Sequence, residues 1–415
     1  MKILMISPLC PLPLERGGTV RVWNIARQLS NHNDVDLVCF IRKDQERVYE
    51  NELKAVFNNV HFIKRNKLMS ARSLMMPGWH KWQFFRDNFK ILIKALLTLR
   101  PLISVLYDSA QLRKIIFAAD KSKSYDLIYS ETYYASSSLF DYLCLLHTPY
   151  MLCEQNLEYV LYGRQLEEQR NLFVYLGMKW DVWKMKREEI IFWKRARILG
   201  GLSQVDVSEM KEQSGREDVF SLENGVDIFH FSQKVSVRNP FEVLFVGSFA
   251  YFQNVDAVRW LVDDIWPQIY STERHATLRI VGRGADVSLV EYLKDRGHYI
   301  DQSVDDIREA YQRASVLIAP IRAGSGTKYK VLEAMASRTA VVTTAVGAEG
   351  LEVKDGKEMV VKQNSDELAD AVVRLLYDHT RRENLTNDAY NFVKEYYDWK
   401  AIISRFEKHV LSNVK

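Results

Sequence analysis

The stretch RAGSGTKYKVLEAMA, residues 322–336, sets a glycine-rich turn and a lysine before a helix that is apolar but for one central glutamate. Gly324 and Gly326 let the backbone approach a ligand closely, because no Cβ stands in the way. A helix that starts immediately afterwards aims its unpaired N–H groups and the positive end of its dipole at the same place. Together these make an anion site suited to phosphate. The run just upstream, VLIAP, reads as a buried strand, so the turn falls at the carboxyl end of a strand, where α/β sheets bind ligands.

Working outward, short apolar runs alternate with helical patterns along the whole chain, which predicts α/β architecture with parallel sheets. The strand candidates of the first half are KILMIS, DVDLVCF, VHFIK, YDLIYS, YMLCE, ILGGLS and VFSLEN. Those of the second are EVLFVGS, TLRIVG, HYID, VLIAP, AVVTT and MVV. The loop NGVDIFHFSQKVSVRNP marks the domain break. The reading is a Rossmann-like domain over 1–225, a linker over 226–240, a second Rossmann-like domain over 241–396 and a terminal helix over 397–415. Two such sheets facing each other leave a cleft between their carboxyl ends. Val258, Leu261, Val262, Ile265 and Trp266 form one helical stripe with Asn254 as its expected cap. Asn364 and Glu367 begin another helix with a capping box, and residues 157–197 read as one long helix or two in series.

Glu333 is the sharpest single signal. An exposed ion pair with Lys330 is its ordinary reading, but VLEAMA surrounds it with apolar residues, and a buried carboxylate needs donors. The vicinal hydroxyls of a ribose would serve. Lys328, read in the first helical turn, is a cation at a dipole's positive end, unfavourable by ~0.3–1 kcal/mol unless an anion lies between them. Gly17 and Gly18 open the first helix as a glycine turn, and Gly282-Arg283-Gly284 is a weak GxG at a strand end, where a nucleobase would pack. Asp34-Val35-Asp36 has DxD spacing but sits at a strand start, where solvation explains it; no metal site is expected.

Composition narrows the remaining classes. The net charge of +4 over 415 residues, with 47% hydrophobic and 27% charged residues, is that of a globular protein without a general nucleic-acid bias. Cys10, Cys39, Cys144 and Cys153 show no CxxC spacing and read as free thiols in a reducing, cytoplasmic setting. MKILMISPLCPLPL imitates a signal peptide, but its prolines fit a first buried strand better. Residues 64–100 hold nine Lys/Arg against Asp87 alone, interleaved with Trp79, Trp82, Phe84, Phe85 and Phe89. A solvated helix face is the plain reading of that segment. Contact with an anionic membrane surface suits its density of both residue types, and single-stranded nucleic acid fits less well.

GSGTKYKVLEAMASRTAVVTT, ENGVD (223–227), FVGS with Gln253-Asn254, VGRG and the early glycine pair together resemble the retaining family-4 glycosyltransferases of GT-B fold. The branch it is most similar to serves bacterial exopolysaccharide assembly. That resemblance implies a nucleotide diphosphate sugar as donor and no cofactor, with a saccharide or lipid-linked saccharide as acceptor. By position, Glu333 would hold the donor ribose, and Gly324, Ser325, Gly326, Thr327 and Lys328 the diphosphate and sugar. Gly17, Gly18, Ser248, Arg283 and Gln155 would complete the substrate site. Departures accompany the likeness. Ser325 stands where the family's first paired glutamate falls, Gln155 where a histidine is common, and Ser248 where an arginine and a lysine usually follow the strand. Arg338 ends its helix at a position usually glycine, where a left-handed backbone costs a side chain ~1–2 kcal/mol. A nicotinamide dehydrogenase is disfavoured, since SPLCPLPLERGG replaces GxGxxG after the first strand. A sugar-nucleotide epimerase and a non-catalytic sugar-nucleotide or membrane adaptor remain alternatives.

Overall fold

In the computed structural model, every residue is described except 15, 16, 67–88, 90, 92, 168, 170, 303, 325 and 415, with the backbone alone at 411–414. The chain divides into two compact units, Met1–Leu222 with Ile403–Lys415, and Glu223–Ile402. Residues 223–240, read above as domain end and linker, carry the short helix Ile228–Ser232 capped by Asp227. Val226, Ile228 and Phe231 join the core of the second unit.

The first unit is built on seven parallel strands: β1 Lys2–Ser7, β2 Asp34–Ile41, β3 Val60–Lys64, β4 Leu127–Glu131, β5 Tyr150–Cys153, β6 Ile198–Gly201 and β7 Val219–Ser221. They lie in the order β3-β2-β1-β4-β5-β6-β7. The second has six: β8 Glu242–Val246, β9 Thr277–Val281, β10 Ile300–Asp301, β11 Val316–Ala319, β12 Ala340–Thr343 and β13 Val360–Val361, in the order β10-β9-β8-β11-β12-β13. The central strands of both sheets are buried along most of their length, as near-continuous apolar runs demand when helices cover both faces. In each sheet the strand order reverses beside the first strand, between β1 and β4 and between β8 and β11. Such switch points are where doubly wound sheets take ligands.

Helices Glu158–Glu167 and Leu172–Arg195 stand in series. The stripe from Val258 begins earlier than the sequence suggests: helix Phe252–Trp260 has Tyr251 at its N-cap, and Asn254 lies inside it. Its amide is used elsewhere, donating to the Ser248 carbonyl at 2.8 Å. The helix continues through a π-turn, Leu261–Ile265, into Trp266–Thr272. Pro267 falls at that junction, where its missing N–H and its ring would disturb a regular ladder. The terminal helix spans Trp399–Val414, starting after Tyr397, and from Ile403 onward it belongs to the first unit. Asp36, expected to be solvated, is buried and accepts hydrogen bonds from Asn59 and Tyr125.

Arg338 does adopt the left-handed conformation, with φ 56°. It closes helix Tyr329–Ala336 as a glycine would: its N–H donates to the Met335 carbonyl and the Thr339 N–H to that of Ala334, the Schellman pattern. Its side chain supplies the compensation that the sequence leaves unexplained. The guanidinium stacks 3.9 Å from the Tyr390 ring and donates to Asn387. The stacking and hydrogen bond are together worth about 1–2 kcal/mol, matching the strain. Arg338→Ala keeps the strain and loses the contacts, so it should destabilise by about 1–2 kcal/mol. Arg338→Gly removes both and should stay within about 0.5 kcal/mol of the parent; urea denaturation of both variants measures the difference.

Candidate active site

In the second unit, the loops leaving β8, β9 and β11 meet at the carboxyl edge of the sheet. After β8, Gly247 lies against Asn254, and a Cβ on it would come 3.0 Å from the Asn254 side chain. After β9, the Gly282-Arg283-Gly284 turn packs under that loop. A Cβ on Gly282 would lie 1.8 Å from the Gly247 carbonyl, and the Phe249 N–H donates to the Arg283 carbonyl at 2.8 Å. Close backbone packing thus accounts for the first glycine of this GxG without a ligand. After β11 comes the 322–328 loop, with Gly324 and Gly326 at φ 115° and 72°, values open to glycine and costly for other residues. Gly324 lies beside the Gln253 side chain. Ser248, Arg283, Gly324, Gly326, Thr327, Lys328 and Glu333 therefore all belong to one edge of this unit. Ser325 lies outside the described residues.

Lys328 is the N-cap residue of helix Tyr329–Ala336 rather than a member of its first turn, with φ −91° and ψ 108°. Its ammonium donates to the Gly326 carbonyl at 2.5 Å and stands 3.8 Å from the Glu349 carboxylate. The Thr327 hydroxyl is buried and has no hydrogen-bond partner among the described residues. Leaving such a group unsatisfied costs about 1–3 kcal/mol, which makes it a place for an incoming polar ligand atom.

Glu333 is held on the same helix by Tyr311, whose hydroxyl donates to Oε2 at 2.7 Å from helix Ile307–Arg313. Burial pushes the Glu333 carboxyl above its ordinary value, against the pull of the Tyr311 hydrogen bond and the Lys330 charge. Lys330 stands one turn before it, donating to Asn254 Oδ1 at 2.7 Å and lying 4.9 Å from the Phe245 ring centroid. Burial lowers the Lys330 ammonium to about 7, opposed by Glu333 and assisted by Lys328. From the sequence, Lys330 reads only as an exposed partner of Glu333 and Asn254 only as a helix cap, and Tyr311 gives no signal. The alternation YKVLE was a signal for Lys330, since it puts the lysine on the glutamate's side of the helix.

In the first unit, Gly17 and Gly18 are the first residues of helix Gly17–Leu29 and not a turn before it. A Cβ on Gly18 would lie 3.2 Å from Gln155 Oε1. Gln155 in turn donates to Glu131 Oε2 at 2.9 Å, and Arg21 Nε donates to the same oxygen at 3.2 Å. Glu131 ends β4 beside the switch point and is fully buried. Gly18 and Gln155 thus share one corner, organised by two residues, Glu131 and Arg21, that the sequence reading did not select. A cavity of 520 Å³ lies elsewhere in this unit, lined by Lys94, Arg100, Arg113, Lys184 and Glu188 among others. Its cations are matched locally: Lys94 and Arg113 pair with Asp108, and Arg100 with Glu188.

Two parallel sheets, each with a switch point, and a helix that starts beside one of them define a doubly wound α/β class of fold. Residues 240–378 match the family described as Glycosyl transferases group 1. A Klebsiella pneumoniae protein, "Uncharacterized 44.6 kDa protein in cps region", is 22% identical over 98% of this chain and 99% of its own length. A phosphatidyl-myo-inositol mannosyltransferase of Mycobacterium leprae is 28% identical over 50% of this chain and 58% of its own. The solved structure of Anabaena Alr3699/HepE in complex with UDP superposes with a TM-score of 0.66 at 15% identity, over 99% of this chain and 100% of that one. The likeness to glycosyl transferases group 1 thus lies in residues 240–378, and the chain as a whole has the GT-B fold.

Two substitutions separate the roles of the polar groups described. Tyr311→Phe leaves a half-buried carboxylate short of a donor and should lower stability by about 1–2 kcal/mol. Thr327→Val replaces an unsatisfied hydroxyl with a methyl of similar volume and should leave stability unchanged or raise it by up to about 1 kcal/mol. Chemical denaturation of both variants checks these opposite directions.

Proposed function

We propose that the chain moves a hexosyl group, with retention of configuration, from a nucleotide diphosphate sugar to a hydroxyl acceptor in polysaccharide or glycolipid synthesis. The observation that carries this reading is the half-buried carboxylate of Glu333, one helical turn from an N-terminus whose preceding loop holds a Thr327 hydroxyl unpartnered among the described residues. Ribose hydroxyls would donate to the Glu333 oxygen that Tyr311 does not take. The diphosphate would lie over the helix start beside Lys328, with the sugar along 324–327. Alr3699/HepE has been solved with UDP-glucose, which supports a donor of this type. The cps-region relative and the mannosyltransferase support a polysaccharide or glycolipid product.

As the bond to the sugar breaks, negative charge grows on the departing diphosphate. A fixed dipole and a positioned ammonium stabilise that growing charge more than they stabilise the ground state, which is what lowers the barrier. The departing phosphate oxygen is the base that takes the acceptor proton. Charge neutralisation by Lys328 and the helix removes the need for a divalent cation. The acceptor would be held mainly by the first unit.

A lipid-linked acceptor at the cytoplasmic face of a membrane fits the exposed residues of that unit. Phe89, Leu96 and Leu97 are exposed, as are Phe173, Leu176 and the stacked pair Trp180 and Trp183 on helix Leu172–Arg195. The remaining aromatic residues of the basic segment, from Trp79 to Phe85, lie outside the described residues. No helix among the described residues is long and apolar enough to cross a membrane.

A thermal-shift screen against nucleoside diphosphates and their sugars tests the donor, since a ligand at a hundred times its Kd adds about 2.7 kcal/mol. Glu333→Ala should raise the donor KM and cut kcat/KM by about 10²- to 10⁴-fold, as expected for the loss of two charged hydrogen bonds of about 1.5–3 kcal/mol each. EDTA should leave turnover unchanged. A Glu333→Ala enzyme with the parent's donor kinetics would overturn the assignment.

A further inference from the structure

The cations around the 322–328 loop do not have equivalent partners. Arg322 makes a bidentate pair with Asp256, at 2.6 and 3.0 Å, and lies over the Trp260 ring. Lys328 is turned onto the Gly326 carbonyl and stands near Glu349. Lys330 differs from both, because its hydrogen bond goes to the neutral amide oxygen of Asn254. Asn254 in turn donates to the Ser248 carbonyl and packs on Gly247. The Lys330 ammonium is therefore fastened to the corner that follows β8. No lysine or arginine lies between β8 and Arg259 in the chain. The corner's positive charge comes instead from the helix opposite.

We propose that Lys330, positioned by Asn254, is a second cation for the donor diphosphate, and that donor binding loads it with a proton. This rests on the donor reading above. The groups facing Lys330 define how it titrates. On its own segment they are Glu333, which favours the charged form, and Lys328, which opposes it. The packed elements contribute the uncharged Asn254 from helix Phe252–Trp260 and the apolar Phe245 from β8. Tyr311, from helix Ile307–Arg313, acts only through Glu333. With burial holding this ammonium near neutrality at about 7, an arriving diphosphate raises its affinity for a proton. The sign follows. Below about pH 7 the lysine is already charged and binding is flat with pH. Above it, binding takes up a proton and weakens as pH rises.

Calorimetric titration of the full chain with UDP-glucose, GDP-mannose and ADP-glucose, in buffers of different ionisation enthalpy, reads the proton count directly. The expected result is net proton uptake above pH 7, with Kd rising roughly tenfold between about pH 7 and pH 9. Lys330→Met should bind about tenfold or more weakly at pH 7, with no proton uptake and a flat profile. Asn254→Asp sets a carboxylate beside the ammonium, keeps it protonated beforehand and should also abolish the uptake. Wild-type binding without proton exchange overturns this inference and leaves the donor reading standing, even if both variants misfold. Parent-like affinity and pH dependence in Lys330→Met overturns it as well. Binding of none of the three nucleotide sugars removes the donor reading and this inference together.

Discussion

A carboxylate on an apolar helix cannot be buried bare, and much of the second unit is arranged around that constraint. Glu333 sits half-buried on a helix whose Val331, Leu332, Ala334, Met335 and Ala336 face the core, so few of its partners can come from that helix itself. Tyr311 supplies one hydroxyl from the adjacent helix, and Lys330 supplies charge from one turn away. This keeps the carboxylate anchored while one of its oxygens stays available. The parallel sheet then sets where that oxygen is: β8 and β11 are neighbours at the switch point, and the loops that leave them bring Asn254 and the 322–328 turn to the same helix.

The first unit meets the same constraint differently. Glu131 also ends a central strand beside a switch point and is fully buried, but it is paired with a guanidinium and bridged to Gln155. Arg21 reaches it from the first helix and also donates to the Leu222 carbonyl, fastening that helix to the end of the unit's last strand. Glu131 is thus paired with a cation inside its unit, whereas the hydrogen bond to Glu333 comes from a neutral tyrosine.

The strands were legible because parallel strands covered on both faces are nearly continuous apolar runs, and KILMIS or VLIAP can hardly be read otherwise. The glycine turn and Glu333 were legible because both break a local rule, one with positive φ and the other with a charge among apolar neighbours. What escaped depends on partners distant in sequence. Asn254 resembles a cap until its amide is seen bound to Ser248 and Lys330, the latter 76 residues away. Lys330 looks like half of a surface ion pair until the neighbouring strand and helix enclose it. Arg338 violates a glycine position, and the ring of Tyr390 and the amide of Asn387, both on another helix, explain how it is tolerated.

The π-turn at Leu261–Ile265 separates two jobs along one continuous rod. Before it, Phe252–Trp260 presents Asn254 towards the lysine; after it, Trp266–Thr272 packs on helix Ser365–Tyr377. A regular α-helix would lock those two faces at a fixed angle, so that improving one contact would misalign the other. The widened turn rotates the second half by about one residue, roughly 100°. A regular α-turn over the same number of residues would swing either the amide or the buried Trp266 out of phase by that angle, whereas removing one residue along with the π-turn would leave the two faces aligned.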